Sequence, residues 1–197
     1  MKKIIIILLT LLLLASCRKA LQKQTTLEIS FADYFGYSLT DYLNETNISA
    51  DTYTEVHQGT GFYTSTNTVI FESVEYTPFL LVDGVAGVIY GGGYQAIINN
   101  PDEKVWSQVN ELKRFLVNEY GEPSTYEGLD NILSNMKSFS DLKEIGNAIE
   151  RWTIEREISL EIPSYEGVDL VEEIELFISY MDETAMLQIT QRIRALR

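Results

Sequence analysis

The chain has 197 residues, with 29 Asp or Glu and 15 Lys or Arg, so its formal net charge is −14 at pH 7. A negative charge of this size opposes binding to nucleic acid and to anionic lipid surfaces. Hydrophobic residues make up 45% of the chain and aromatic residues 11%, which excludes a disordered polar chain and is typical of one folded domain.

The first sixteen residues have the features of a secretory signal peptide. Lys2 and Lys3 precede an apolar run over residues 4–15, which is shorter than the roughly 20 residues that span a bilayer. The run ends in Leu14-Ala15-Ser16-Cys17, which resembles the bacterial lipobox. The resemblance implies a lipoprotein that is cut before Cys17 and carries acyl chains, such as palmitate, on that residue. Loss of Lys2 and Lys3 would change the net charge from −14 to −16.

Cys17 is the only cysteine, so we expect no internal disulfide and no thiolate metal site, and stability must come from a hydrophobic core. The polar residues after it lack hydrophobic periodicity, which predicts a flexible tether over 17–26. Arg18 stands where enteric lipoproteins retained at the inner membrane have an aspartate. By that resemblance the chain is expected at the outer membrane. The tether lacks an acidic cluster, which favours the periplasmic face of the outer membrane.

The first half of the chain predicts mainly strands. Ser38 with Asp41 indicates the start of one short helix over residues 39–45. Asp83-Gly84 lies between two apolar runs, as in a tight hairpin turn. Alternation and β-branched or aromatic runs predict strands or hairpins at residues 27–31, 52–63, 68–76, 79–90 and 94–98.

The second half predicts helices around one pair of strands. Apolar residues recur at helical spacing over residues 105–120, after Asp102 and before Gly121 and Pro123, which predicts the longest helix of the chain. The other predicted elements are helices at 129–136 and 142–149, strands at 152–162 and 174–180, and a C-terminal helix at 183–197.

These elements predict an α+β fold, in which a mainly antiparallel sheet packs against one long helix, with shorter helices and a C-terminal helix. The predicted divisions are a signal peptide at 1–16, a tether at 17–26, an α+β domain at 27–182 and the C-terminal helix at 183–197.

One spacing pattern resembles a known group of proteins. It consists of Tyr120-Gly121-Glu122-Pro123, then Trp152, then the strands around Ile158-Ser159-Leu160 and Ile178-Ser179-Tyr180. This YGxP…W…IxL…IxY skeleton resembles small, Bacteroidota-like Gram-negative envelope lipoproteins. Its layout is also similar to outer-membrane assembly lipoproteins and to the β-lactamase-inhibitor-protein fold. Those families bind proteins, so the resemblance implies a protein-binding role, but it carries over no functional residue.

The glutamates of the two predicted late strands form the first candidate site. They are Glu155, Glu157 and Glu161 on one strand and Glu173 and Glu175 on the next. Like charges on adjacent strands destabilise a sheet, so the cluster is either a solvated outer face or a site for a basic partner, for Ca²⁺ or for paired-carboxylate catalysis. No calcium-loop pattern is present, and no metal is predicted.

Tyr53 and Tyr63 belong to an early group of tyrosines that suits either glycan or protein contact or half-buried strand packing. His57 is the only histidine, which excludes a multi-histidine zinc site. Gly91-Gly92-Gly93 lacks a following Lys-Ser/Thr and indicates a bulge or a close approach of strands.

The sequence therefore predicts a membrane-anchored envelope lipoprotein that acts as a non-enzymatic protein-binding or assembly-support module. It would be attached to the membrane through the lipid on Cys17, and we expect it to bind no nucleic acid and no cofactor. A glycan-binding or small-ligand-binding lipoprotein is the alternative. A carboxylate-dependent hydrolase is the third hypothesis.

Overall fold

The computed structural model describes residues 31–124, 132–154, 158 and 165–196. The predicted signal peptide and tether, with Cys17, lie outside these residues. Three of the candidate site residues also lie outside them, namely Glu155, Glu157 and Glu161.

Strands dominate the described residues. The eight strands are β1 (Tyr53–Glu55), β2 (Phe62–Ser65), β3 (Val69–Phe71), β4 (Val74–Val82), β5 (Ile89–Asn99), β6 (Asn147–Ile154), β7 (Leu170–Met181) and β8 (Thr184–Ala195). The helices are α1 (Leu39–Glu45), α2 (Glu103–Tyr120) and α3 (Phe139–Ile145), with 3₁₀ turns at Phe31–Tyr34 and Leu133–Asn135.

The strands form one sheet in the order β1-β2-β4-β5-β8-β7-β6, and β3 pairs with the first part of β4. Every neighbouring pair of these strands is antiparallel. A two-residue turn joins β7 to β8, with positive φ at Asp182 (49°) and Glu183 (59°). Positive φ at both central residues is typical of a type I′ turn, whose twist matches that of the two strands it joins.

The predicted fold class is wrong in its balance of elements: a single eight-stranded antiparallel sheet dominates the described residues, and the segment predicted as a C-terminal helix forms β8 over residues 184–195. The apolar residues of this segment fit two periods. Met186, Ile189 and Ile193 recur at helical spacing, whereas Leu187, Ile189 and Ile193 occupy alternate positions of a strand. Pairing with β5 on one side and β7 on the other selects the strand. The division of the chain into a domain at 27–182 and a helix at 183–197 fails with it.

Three shorter predictions also need correction. The helix predicted at 142–149 ends at Ile145, because Gly146 takes a left-handed φ of 87° and β6 begins at Asn147. The strand predicted at 152–162 therefore begins earlier, and Ile158 lies outside any strand. The turn at Asp83-Gly84 is part of a longer loop between Val82 and Ile89.

The first and larger of two hydrophobic clusters joins α2 and α3 to β6, β7 and β8. Val109, Leu112 and Leu116 of α2 belong to the same buried cluster as Trp152 and Ile174. The Trp152 indole N–H donates to the Gly121 carbonyl at 2.8 Å, so the end of α2 is tied to β6. This bond satisfies a carbonyl beyond the last turn of the helix.

The second cluster lies at the other half of the sheet. Phe31, Tyr42 and Leu80 are buried in it. A Cβ atom on Gly92 would lie 2.5 Å from the Phe31 ring, and one on Gly93 would lie 2.0 Å from the Ile189 carbonyl oxygen. The glycine run therefore allows the close approach of neighbours that its composition predicts.

Candidate functional site

Glu173 and Glu175 lie on the face of β7 opposite the larger cluster, between two strands that supply arginines. We call these five residues the arginine–glutamate cluster: Arg151 of β6, Glu173 and Glu175 of β7, and Arg192 and Arg194 of β8. Arg192 Nη2 lies 3.1 Å from a carboxylate oxygen of each glutamate, Arg194 Nε lies 3.0 Å from Glu173, and Arg151 Nε lies 2.9 Å from Glu175.

For Glu173 and Glu175, the arginine–glutamate cluster excludes the solvated acidic face, which was one of the alternatives for the five glutamates. The Glu173 side chain is fully buried and that of Glu175 is 13% exposed. Buried carboxylates need charged or hydrogen-bonding partners, and here arginines of both neighbouring strands provide them. The two glutamates therefore neutralise arginines and join three strands, and their oxygens are occupied by guanidinium groups.

Tyr53 and Tyr63 contribute to packing. Tyr53 is buried in the second cluster, with its ring 6.0 Å from that of Tyr42, and Tyr63 packs against the same cluster. Burial raises the pKa of the Tyr53 hydroxyl, and the neighbouring Tyr42 raises it further. These positions favour strand packing over ligand contact. His57 is exposed in the turn after β1.

Lys113, Ser134 and Glu150 form a second polar group that the sequence did not reveal. Glu150 is 5% exposed, Lys113 Nζ lies 3.3 Å from its carboxylate, and the Ser134 hydroxyl donates to the same oxygen. A serine beside a lysine is also an arrangement of some hydrolases. Here both groups bond the Glu150 carboxylate, so they satisfy a buried charge next to the larger cluster.

A cavity opens where β4 and β5 separate. Their ladder ends at the pair Thr77 and Gln95. Beyond this pair, residues 74–76 of β4 pair with β3, while residues 96–99 of β5 continue to pair with β8 alone. The strands therefore diverge, and the gap between them has a volume of about 760 Å³. We call it the β4–β5 cleft.

Four parts of the chain line this cleft: the β3–β4 hairpin, the end of β5, the linker after β5 and the first turns of α2. The lining residues are Thr68, Glu72, Ser73, Val74, Glu75, Thr77, Gln95, Ile97, Ile98, Asn99, Asn100, Pro101, Asp102, Lys104, Val105 and Gln108. Ile97 remains 66% exposed, so the cleft presents an apolar surface to solvent.

Hydrogen bonds hold the polar wall of the cleft in position. Gln108 Nε2 donates to the Glu72 carbonyl at 2.8 Å, which ties α2 to the β3–β4 turn. Gln108 Oε1 is buried and accepts no hydrogen bond from the described residues. Asp102 caps α2 by accepting from the Lys104 backbone N–H at 2.9 Å. Thr68 donates its hydroxyl to Glu75.

The charge of the cleft is negative. Glu72, Glu75 and Asp102 supply three carboxylates, and Lys104 is the single cationic side chain among the lining residues. All four side chains are exposed, in contrast to Glu173. An acidic rim around apolar residues is suited to a ligand that combines hydrogen-bond donors with apolar surface.

No family model, curated protein or solved structure matches this chain. Among the residues that the structure describes, no helix is long and apolar enough to cross a membrane. The same part of the chain contains no group of three or more His, Cys, Asp or Glu side chains placed to hold a metal ion.

A smaller cavity of about 370 Å³ adjoins the arginine–glutamate cluster. Tyr90, Tyr165 and Arg192 line it. Burial raises the pKa of both tyrosines, and Arg192 opposes this rise in each case. Arg192 is already shared between two glutamates, so its guanidinium serves the arginine–glutamate cluster.

Sequence reasoning did not identify the β4–β5 cleft. Its residues come from positions 68–108, and each taken alone has an ordinary role in a strand, turn or helix cap. The one available signal was Asn99-Asn100-Pro101-Asp102, which predicted the end of a strand and the start of a helix. That signal locates a loop, but it does not show that a neighbouring strand has moved away.

Proposed function

We propose that this chain is a lipid-anchored protein of the outer membrane, facing the periplasm, whose domain binds an extended segment of another envelope protein. The anchor is supported by Leu14-Ala15-Ser16-Cys17 and the apolar run before it. The binding role is supported by the β4–β5 cleft, and we assign it no chemical step.

The observation that carries the binding role is the missing strand neighbour of β5. In an antiparallel sheet, alternate residues direct their N–H and C=O groups toward opposite neighbours. Over residues 96–99, β5 has β8 on one side and the cleft on the other. An extended peptide can take the place of the missing neighbour, as in recognition by strand addition.

A second candidate ligand is a glycan. Thr77, Gln95, Asn99 and Asn100 offer amide and hydroxyl groups that suit sugar hydroxyls. The tyrosines first considered for glycan contact pack in the second cluster, so the cleft is the better location for such a ligand.

Site-specific photo-crosslinking in the cell tests this function. A benzophenone amino acid would replace Ile97 in the cleft, and Val85 would serve as the matched control, because it is an exposed aliphatic residue at the far end of the β4–β5 hairpin. We expect a discrete protein adduct at position 97 only, in the membrane fraction. A Cys17→Ser variant should leave the membrane and lose the adduct.

Three outcomes would contradict parts of this proposal. Equal adducts at both positions, or none at position 97 despite correct anchoring, would refute binding in the cleft. A polysaccharide adduct at position 97 would favour the glycan. Retention of the Cys17→Ser variant at the membrane would refute anchoring through Cys17.

A further inference from the structure

We infer that the segment bound in the β4–β5 cleft is basic, with a lysine or arginine side chain that reaches the rim carboxylates. This inference rests on the proposed function and specifies the chemistry of the partner.

The backbone of the cleft defines the shape of the ligand. Gln95, Ile97 and Asn99 are alternate residues of β5 and all line the cleft, so their side chains form one wall. A strand laid against this edge would present its own side chains alternately to the wall and away from it. Every second residue of the segment therefore meets the lining.

The charges of the lining favour a cation. Three carboxylates face the cleft with one lysine, and the chain as a whole has a net charge of −14. An acidic segment would meet repulsion both at the rim and during its approach. A basic segment would be attracted in both stages, and its association would be slowed by salt.

The hydrogen-bonding groups point to the same chemistry. The exposed carboxylates of Glu72, Glu75 and Asp102 are acceptors only, and hydrogen bonds to them are strongest from a charged donor. Lysine and arginine side chains provide such donors, whereas a carboxylate cannot.

The apolar residues of the cleft explain why an arginine or lysine side chain fits the cleft better than a small cation does. Val74, Ile97 and Val105 lie beside the carboxylates. The aliphatic stems of lysine and arginine pack on such surfaces while the charged end reaches a polar group. A metal ion or free ammonium would leave these apolar residues uncovered.

The test is a selection from a displayed library of random peptides about a dozen residues long, long enough to supply one strand. The bait is the full mature chain with Cys17→Ser, made without lipid. The charge variant combines Glu72→Gln, Glu75→Gln and Asp102→Asn, which keeps the helix cap because asparagine caps as well as aspartate. The matched control combines Glu45→Gln, Glu144→Gln and Glu166→Gln, which removes the same charge from exposed positions elsewhere.

We expect peptides rich in lysine or arginine. Their affinity should fall at least about tenfold for the charge variant and should be unchanged for the matched control, because the rim carboxylates line the cleft and the three control carboxylates do not. Affinity for the parent bait should also fall when salt rises from about 0.05 M to 0.5 M. Fluorescence anisotropy with the selected peptides measures both effects.

An Ile97→Ser variant separates the two levels of the proposal, with Val85→Ser as its control. Two results would overturn the inference and leave the proposed function standing. In the first, the selected peptides need Ile97 but have no excess of basic residues. In the second, they bind the charge variant as tightly as they bind the parent. Failure to enrich any peptide, or enrichment of peptides that do not need Ile97, would overturn both.

Discussion

The two halves of the sheet use carboxylates in opposite ways. On β7, Glu173 and Glu175 are buried and paired with arginines of both neighbouring strands. At the β4–β5 cleft, Glu72 and Glu75 are exposed beside a gap where a strand neighbour is missing. The same residue type therefore pairs with arginines within the sheet in one region and, in the function we propose, attracts a partner in the other, because burial and available partners differ.

Strand pairing shows the same contrast. The ladder between β7 and β8 continues through twelve residue pairs, from Leu170 with Ala195 to Met181 with Thr184. The ladder between β4 and β5 has six pairs and a bulge, and it stops while both strands continue. A continuous ladder leaves no edge for a partner, whereas an interrupted one exposes backbone groups. We therefore place structural stability on β6–β8 and binding on β4–β5.

Glu173→Gln should have the largest effect on stability. It leaves Arg192 and Arg194 beside a buried neutral amide, and breaking a buried ion pair costs about 3–5 kcal/mol. Urea unfolding followed by circular dichroism would measure the loss. Glu45→Gln, at an exposed position on α1, should change stability by less than about 0.5 kcal/mol. A loss below about 1 kcal/mol for Glu173→Gln would show that the cluster is not structural.

Gly93→Ala should have the next largest effect, because Gly93 lies in the closed part of the β4–β5 ladder. The new Cβ would meet the Ile189 carbonyl oxygen at 2.0 Å and Phe79 Cζ at 2.7 Å. Overpacking of this kind costs about 3 kcal/mol. Thermal unfolding measures it. Gly84→Ala is the control, since nothing lies within 4 Å of its Cβ. Equal stability of the two variants would mean that the strands can separate without cost.

Alkaline pH should destabilise the half that contains the cleft through its buried tyrosines. Burial raises the pKa of Tyr53, so the folded state keeps a proton that the unfolded state loses above its pKa of about 10. The stabilising contribution is complete below pH 10 and is lost as pH rises. At pH 11 the loss is about 1.4 kcal/mol for this tyrosine.

Comparison of the parent with Tyr53→Phe tests this alkaline effect. Unfolding in urea at pH 8 and pH 11 would show a smaller decrease for Tyr53→Phe, because phenylalanine has no proton to lose. Identical decreases would indicate that the Tyr53 hydroxyl is accessible to solvent and that this residue belongs to a surface.

Neutralising the cleft should have the smallest effect on stability. Glu72→Gln, Glu75→Gln and Asp102→Asn change exposed side chains, so the free energy of unfolding should change by less than about 0.5 kcal/mol. The same urea assay applies. A loss as large as that of Glu173→Gln would place these carboxylates among the structural groups and remove the distinction between the two regions.

Local signals in the sequence determined both ends of α2 and the start of α1. Asp102 caps the start of α2, and Gly121 follows the last residue of that helix, as their positions predict. Ser38 likewise caps the start of α1. These signals work because capping and helix termination depend on a few adjacent residues. The glycine run likewise indicated the close approach that Gly92 and Gly93 allow.

Tertiary structure alone decided β8, the arginine–glutamate cluster and the β4–β5 cleft. The apolar residues of 184–195 fit a helix and a strand equally, and the two neighbouring strands selected the strand. Glu173 gained its arginine partners from residues 19 to 22 positions away in the chain, which no local pattern links. The cleft exists because a ladder stops, and a ladder is a property of two strands that only the folded chain brings together.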